Sequence, residues 1–123
     1  MAEEESPVRV LIVSRDGSIL EDAHFGFPAH AEVRTAADAR EAREVLKDFQ
    51  PSVVVADLMT GSAGGFVVAR EMSQMAALVD VPILILLDRD QDSWLADQAG
   101  ADMHRTKPLT AESLAADTLS LIA

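Results

Sequence analysis

"VVVADLMTGSAGGF", residues Val53 to Phe66, decides how the rest of the chain is read. Three valines and an alanine run into one carboxylate, Asp57, and then into a glycine-rich stretch. A short apolar run bounded by turn residues is the pattern of a strand buried on both faces. Such strands belong to parallel sheets covered by helices, whose binding sites collect at the carboxyl ends of the strands. Asp57 stands at such an end.

Outward from that stretch, strand and helix signals alternate. "VRVLIV" (8–13) reads as a strand and "GSILEDAHF" (17–25) as a helix ending before Pro28. "AEVRT" (31–35) is half polar, as at a sheet edge. "ADAREAREVLKDF" (37–49) repeats Ala39, Ala42, Val45, Leu46 and Phe49 at helical spacing, and Pro51 stops it. "SVVVAD" is the third strand, residues 65–78 the third helix and "VPILILL" (81–87) the fourth strand. "QDSWLADQA" (91–99) is a fourth helix closed by Gly100. "DMHRT" (102–106) is a weak fifth strand before Lys107-Pro108, and Thr110 caps a last helix through Ile122. The fold class is therefore α/β, a doubly wound five-stranded parallel sheet. Residues 1–7, "MAEEESP", read as a disordered acidic tail and 8–123 as one domain.

Composition narrows the function. A net charge of -11 repels phosphate backbones and anionic membranes, so direct nucleic-acid or membrane binding is not expected. Without cysteine there is no disulfide and no thiolate metal site. The apolar run Ile83 to Leu87 is far too short to span a bilayer. The acidic start is not a signal peptide, and the expected location is the cytoplasm.

"RTAADAREAREVLKDFQPSVVVADLM", "VPILILL" and "AGADMHRTKPL" together resemble the receiver domains of two-component response regulators, over about residues 8 to 123. The resemblance implies a CheY-like, flavodoxin-like fold with strand order 2-1-3-4-5. It also implies an Asp that takes a phosphoryl group from a histidine kinase with Mg²⁺. That ion is held by two acids after the first strand, by the acceptor carboxylate and by a backbone carbonyl. A hydroxyl after the fourth strand and a Lys after the fifth hold the phosphoryl oxygens, and an aromatic on the fifth strand switches rotamer. Phosphoryl transfer is mostly positioning and charge neutralisation, which explains why such a list is needed.

By that resemblance, Asp57 takes the acceptor position and Lys107 the phosphate-contacting position. Ser14 and Arg15 stand where the acidic pair belongs, so the metal pair is degenerate. Asp16 is the one acid nearby, a residue too far along, free to cap the first helix instead. Arg15 either enters the ion's place and pairs with Asp57 or points to solvent. Leu87 replaces the switch hydroxyl and has no donor for a phosphoryl oxygen. His104 takes the aromatic switch position. Asp88 reads as a solvated residue of the "DRDQD" loop. The "TGSAGG" loop has Gly61 where the family has Pro, and Gly65 matches its glycine at the third helix. Trp94 reads as helix packing and Val67 as a lone apolar residue.

Three functions follow as expectations. The first is an atypical receiver, not an enzyme, working in signal transduction as a phosphorylation-independent protein-interaction module. Its partners would bind the face made by the fourth helix, fifth strand and fifth helix, with a homodimer among them. No cofactor or metal is expected. The second is a phosphorylatable receiver taking a phosphoryl group on Asp57 from a histidine kinase, with Mg²⁺. The third is a flavodoxin-like domain binding a small anion at "TGSAGG". An output domain is not visible in 123 residues, so the chain is either a stand-alone receiver or part of a longer protein.

Overall fold

A computed structural model describes residues 8–58, 70–72 and 74–122. Five parallel strands form one sheet: β1 (Val8–Val13), β2 (Ala31–Ala36), β3 (Val53–Leu58), β4 (Ile83–Leu87) and β5 (Met103–Thr106). Their order is β2-β1-β3-β4-β5, with every pairing parallel. The doubly wound reading of the sequence is correct.

The two-residue period of a strand sorts the core into layers. Val10, Ile12, Val53, Val55, Leu84 and Leu86 face one side, where Ile19 and Ala23 of helix α1 (Gly17–Gly26) and Leu114 of the C-terminal helix (Ala111–Ser120) meet them. Leu11, Val13, Val54, Ala56, Ile83, Ile85 and Leu87 face the other. There they pack on Ala42 of helix α2 (Ala39–Val45) and Ala96 of the helix Ser93–Gln98. All residues of β3 and β4 are buried, which is why both read as continuous apolar runs. At about 1.5–3 kcal/mol for each fully buried Val, Leu or Ile, these two strands anchor the sheet. The end strands β2 and β5 are only partly buried, hence their mixed sequences.

The predicted ends need adjustment. Helix α2 is shorter than residues 37–49, because Asp38 caps it by accepting from the Glu41 amide and the chain turns after Leu46. The fourth predicted helix starts at Ser93, after a 3-10 turn at Asp90–Asp92. Of the predicted helix over 65–78, residues 70–72 and 74 are helical and a 3-10 turn follows at Ala76–Leu78. Val67, the "TGSAGG" loop with Gly61 and Gly65, and the acidic tail lie outside the described residues. Trp94 is a correction: it is 61% exposed rather than packed, because Leu95, Ala96 and Ala99 supply the buried side of its helix. No helix among the described residues is long and apolar enough to cross a membrane.

Candidate functional site

The carboxyl ends of β1, β3, β4 and β5 bring Ser14, Asp16, Asp57, Asp88 and Lys107 together. Asp57 is the penultimate residue of β3, and its side chain is fully buried. Lys107 follows β5 directly, and its amide donates to the Leu87 carbonyl at 2.7 Å. That bond fixes the start of the lysine stem beside the end of β4, and the Lys107–Pro108 bond is cis.

The ammonium of Lys107 lies among three carboxylates. It is 2.9 Å from Oδ1 of Asp57, 3.0 Å from Oδ2 of Asp16 and 2.9 Å from Oδ1 of Asp88. Its side chain is 11% exposed. An ammonium has three N–H donors, so one carboxylate is available for each. The three acids come from three places: the turn after β1, β3 itself, and the loop after β4. Burial is the largest influence on Lys107 and pulls its pKa down. Hydrogen bonds to Asp88, Asp57 and Asp16 together outweigh it, and the net shift is upward.

Ser14 organises the other side of Asp57. Its hydroxyl donates to Oδ2 of Asp57 at 2.7 Å and accepts the Asp16 amide at 3.0 Å. Oδ2 also accepts from Lys107 at 3.1 Å. Oδ1 is close to the ammonium but receives no hydrogen bond of good geometry. Burial holds Asp57 above the usual carboxylate range, against the opposing pull of Ser14 and then Lys107. Asp16 moves the other way, lowered first by its hydrogen bond from Lys107. Asp16 also caps α1 by accepting the Ser18 amide at 2.9 Å. It does both tasks because each uses a different oxygen.

One open alternative is decided and one reading of the sequence is corrected. Arg15 does not pair with Asp57. Its guanidinium lies 3.1 Å from Asp38 and its Nε donates to the Ala37 carbonyl at 3.3 Å, on the surface between β1 and α2. The small neutral side chain of Ser14 faces inward at that turn, so the next residue faces out. Asp88 is not a solvated loop acid, because it pairs with Lys107. Its position, directly after β4 at a strand end, was the available signal. Leu87 is fully buried in the core layer shared with Ile85 and offers the site nothing. His104 is half-buried on β5, in register with Ile85.

No family model matches the chain. A response regulator, MprA of Mycolicibacterium vanbaalenii, is 33% identical over 119 residues, covering 94% of this chain and 51% of that protein. A DNA-binding dual master transcriptional regulator, RpaA of Synechocystis, is 28% identical over 117 residues, covering 93% of this chain and 48% of its own length. The chain thus spans about half the length of these curated relatives. The solved structure of chemotaxis response regulator CheY4 of Vibrio cholerae superposes with a TM-score of 0.79 at 26% identity, covering 96% of this chain and 100% of that one. Over nearly its whole length this chain is similar to the receiver domains of response regulators.

In receiver domains the resemblance implies Mg²⁺ beside the acceptor Asp, and the donor set here does not fit it. Mg²⁺ requires near-octahedral oxygens at about 2.0–2.1 Å. Ser14 and Arg15 supply no carboxylate, and the oxygens of Asp16 and Asp57 converge on an ammonium instead. Among the described residues no group of three His, Asp or Glu side chains is placed to hold a metal ion. Asp57 and Lys107, the residues that the resemblance places at the acceptor and phosphate-contacting positions, neutralise each other at 2.9 Å.

Proposed function

We propose that this domain is an atypical receiver that works in two-component signalling as a phosphorylation-independent protein-interaction module, on the cytoplasmic side. One observation carries the reading: the three N–H donors of Lys107 face three carboxylates, from Asp16, Asp57 and Asp88. None remains for a phosphoryl oxygen. Three carboxylates against one ammonium also leave the site two charges negative, and that repels an incoming phosphoryl donor. With Leu87 in the core, the hydroxyl that would hold a second oxygen is missing too. The module is residues 8–123, with 1–7 as an acidic tail. It is not an enzyme, needs no cofactor, and sits in one conformation held by Ser14, Asp16, Asp57, Asp88 and Lys107. His104 then has no hydroxyl at position 87 to respond to.

Partner proteins dock on the face formed by the helix Ser93–Gln98, β5 and the C-terminal helix. The support is the resemblance together with Trp94, an exposed indole on that helix. Exposed aromatics of this kind anchor protein interfaces. The competing reading is phosphotransfer to Asp57 from a histidine kinase, favoured by the retained Asp57 and Lys107 and by the unbonded Oδ1.

Acetyl phosphate with Mg²⁺, followed by intact mass, decides between them. The module reading expects no mass gain and no amide shifts near Asp57 with Mg²⁺ and a phosphoryl analogue. A gain of one phosphoryl group that disappears in Asp57→Asn would overturn it.

A further inference from the structure

We propose that two copies of this chain pair antiparallel through the free edge of β2, about a two-fold axis at Val33. One sheet would then run through both copies.

β2 is at the end of the sheet, bonded to β1 alone. It runs six residues in unbroken register, with neither proline, lysine nor bulge within it. Proteins usually blunt an exposed edge with such devices. The Ser14 amide donates to the Ala36 carbonyl. In a parallel ladder alternate residues point both backbone groups to the same side. Ala36, Arg34 and Glu32 therefore bond β1, while Val33 and Thr35 aim their N–H and C=O groups outward. Ala31 aims its carbonyl outward as well, its amide being held by Pro28.

A two-fold at Val33 matches this pattern. Val33 exchanges both bonds with Val33 of the second copy, and the Thr35 amide reaches the Ala31 carbonyl. Glu32 then falls opposite Arg34 in both directions, in the non-hydrogen-bonded position where side chains approach closest. The edge is self-complementary in charge as well as in hydrogen bonding, as an isologous contact requires. It is also locally balanced, with Arg9 and Arg34 against Glu32 and Asp48. In a chain of net charge -11, that is where a second acidic copy meets least repulsion. The far end of the sheet instead carries exposed acids at Asp90 and Asp97. A groove of about 470 Å³ of mixed lining, with Leu20, Phe27 and Val33 beside His24 and Thr35, lies along the seam. In the pair, the two grooves face each other across the axis.

Sedimentation of the whole chain from about 10 μM to 1 mM tests this, since an edge contact of this size gives a weak dimer. Wild type should dimerise within that range. Glu32→Lys and Arg34→Glu should each weaken the dimer about tenfold or more, because like charges then meet twice across the seam. Mixing the two variants should restore it, because the introduced lysine of one copy then faces the introduced glutamate of the other, and the remaining Arg34 faces the remaining Glu32. Loss of the contact between positions 32 and 34 within one chain cannot produce that rescue. Thr35→Pro removes an outward amide and should also yield a monomer with unchanged far-UV circular dichroism. A wild type that stays monomeric across the whole range, or single variants that dimerise like wild type, would overturn the proposal. So would a mixture no tighter than its components.

Discussion

Replacing Lys107 with Met removes the cation from three carboxylates while keeping the length of the side chain. The three do not suffer equally. Asp16 and Asp88 are 30% and 36% exposed and can turn to water, but Asp57 has no exposed side-chain surface. It can stay ionised without its partner, which costs about 3–5 kcal/mol for a buried charge. Or it can take up a proton, and that sets a ceiling. From the ordinary value of 3.8, protonation at pH 7 costs about 1.36 kcal/mol per pH unit, or about 4.4 kcal/mol. At pH 5 the same ceiling is about 1.6 kcal/mol. Relief of the burial cost of Lys107 itself lowers both figures. The expected loss is about 3 kcal/mol at pH 7 and about 1 kcal/mol at pH 5.

The sign follows from linkage. In the variant the folded-state pKa of Asp57 is raised further above its unfolded value. The penalty is then absent below 3.8 and grows as pH rises toward the folded value. Urea unfolding followed by circular dichroism at the two pH values measures it. Asp57→Asn combined with Lys107→Met should remove the difference between pH 5 and pH 7. A loss equal at both pH values, or a double variant with the same pH dependence as the single one, would refute the account of Lys107 as counter-ion to a buried charge.

Other outcomes follow from the same geometry. Asp16→Asn keeps the helix cap but removes a carboxylate whose pKa is lowered, so its cost should be constant above about pH 5 and vanish as pH falls below 3.8, read from acid unfolding curves. A methyl group at Gly26 would overlap the Ala111 carbonyl, so Gly26→Ala should destabilise by about 1–3 kcal/mol in chemical denaturation. Trp94 should show red-shifted emission that acrylamide quenches and that unfolding scarcely changes; blue-shifted native emission would contradict its exposure.

The fold was legible because the central strands are apolar almost throughout, with Arg9 in β1 and Asp57 in β3 as the polar residues. β3 and β4 bury every residue, and no other arrangement of runs that short and that apolar alternates with helices so regularly. Ends were less legible, since caps such as Asp38 act through one hydrogen bond that the apolar period does not encode. At the site, residue positions were legible and side-chain directions were not. Arg15 is attracted equally by any nearby carboxylate, and only the turn after β1 shows that Asp38 is the one in reach. Asp88 looked like one of several acids in an acidic loop. Only its place directly after β4 sets it apart from Asp90, which instead accepts from the Thr106 hydroxyl.

With Ser14 and Arg15 after β1, the site is still not short of carboxylates. Asp16 and Asp88 still converge with Asp57, but on Nζ of Lys107 rather than on an ion. A cation site needs oxygens that share a point with no other positive charge, and here a covalently tethered ammonium holds that point permanently. Ser14 completes the exchange. Its hydroxyl supplies Asp57 with a donor that an ionised acid at the same position would lack, so the buried carboxylate accepts one short hydrogen bond there. The residues at 14 and 15 and the acids at 16 and 88 therefore act in one direction. On the proposed reading, they give a centre whose charge is set by the chain itself.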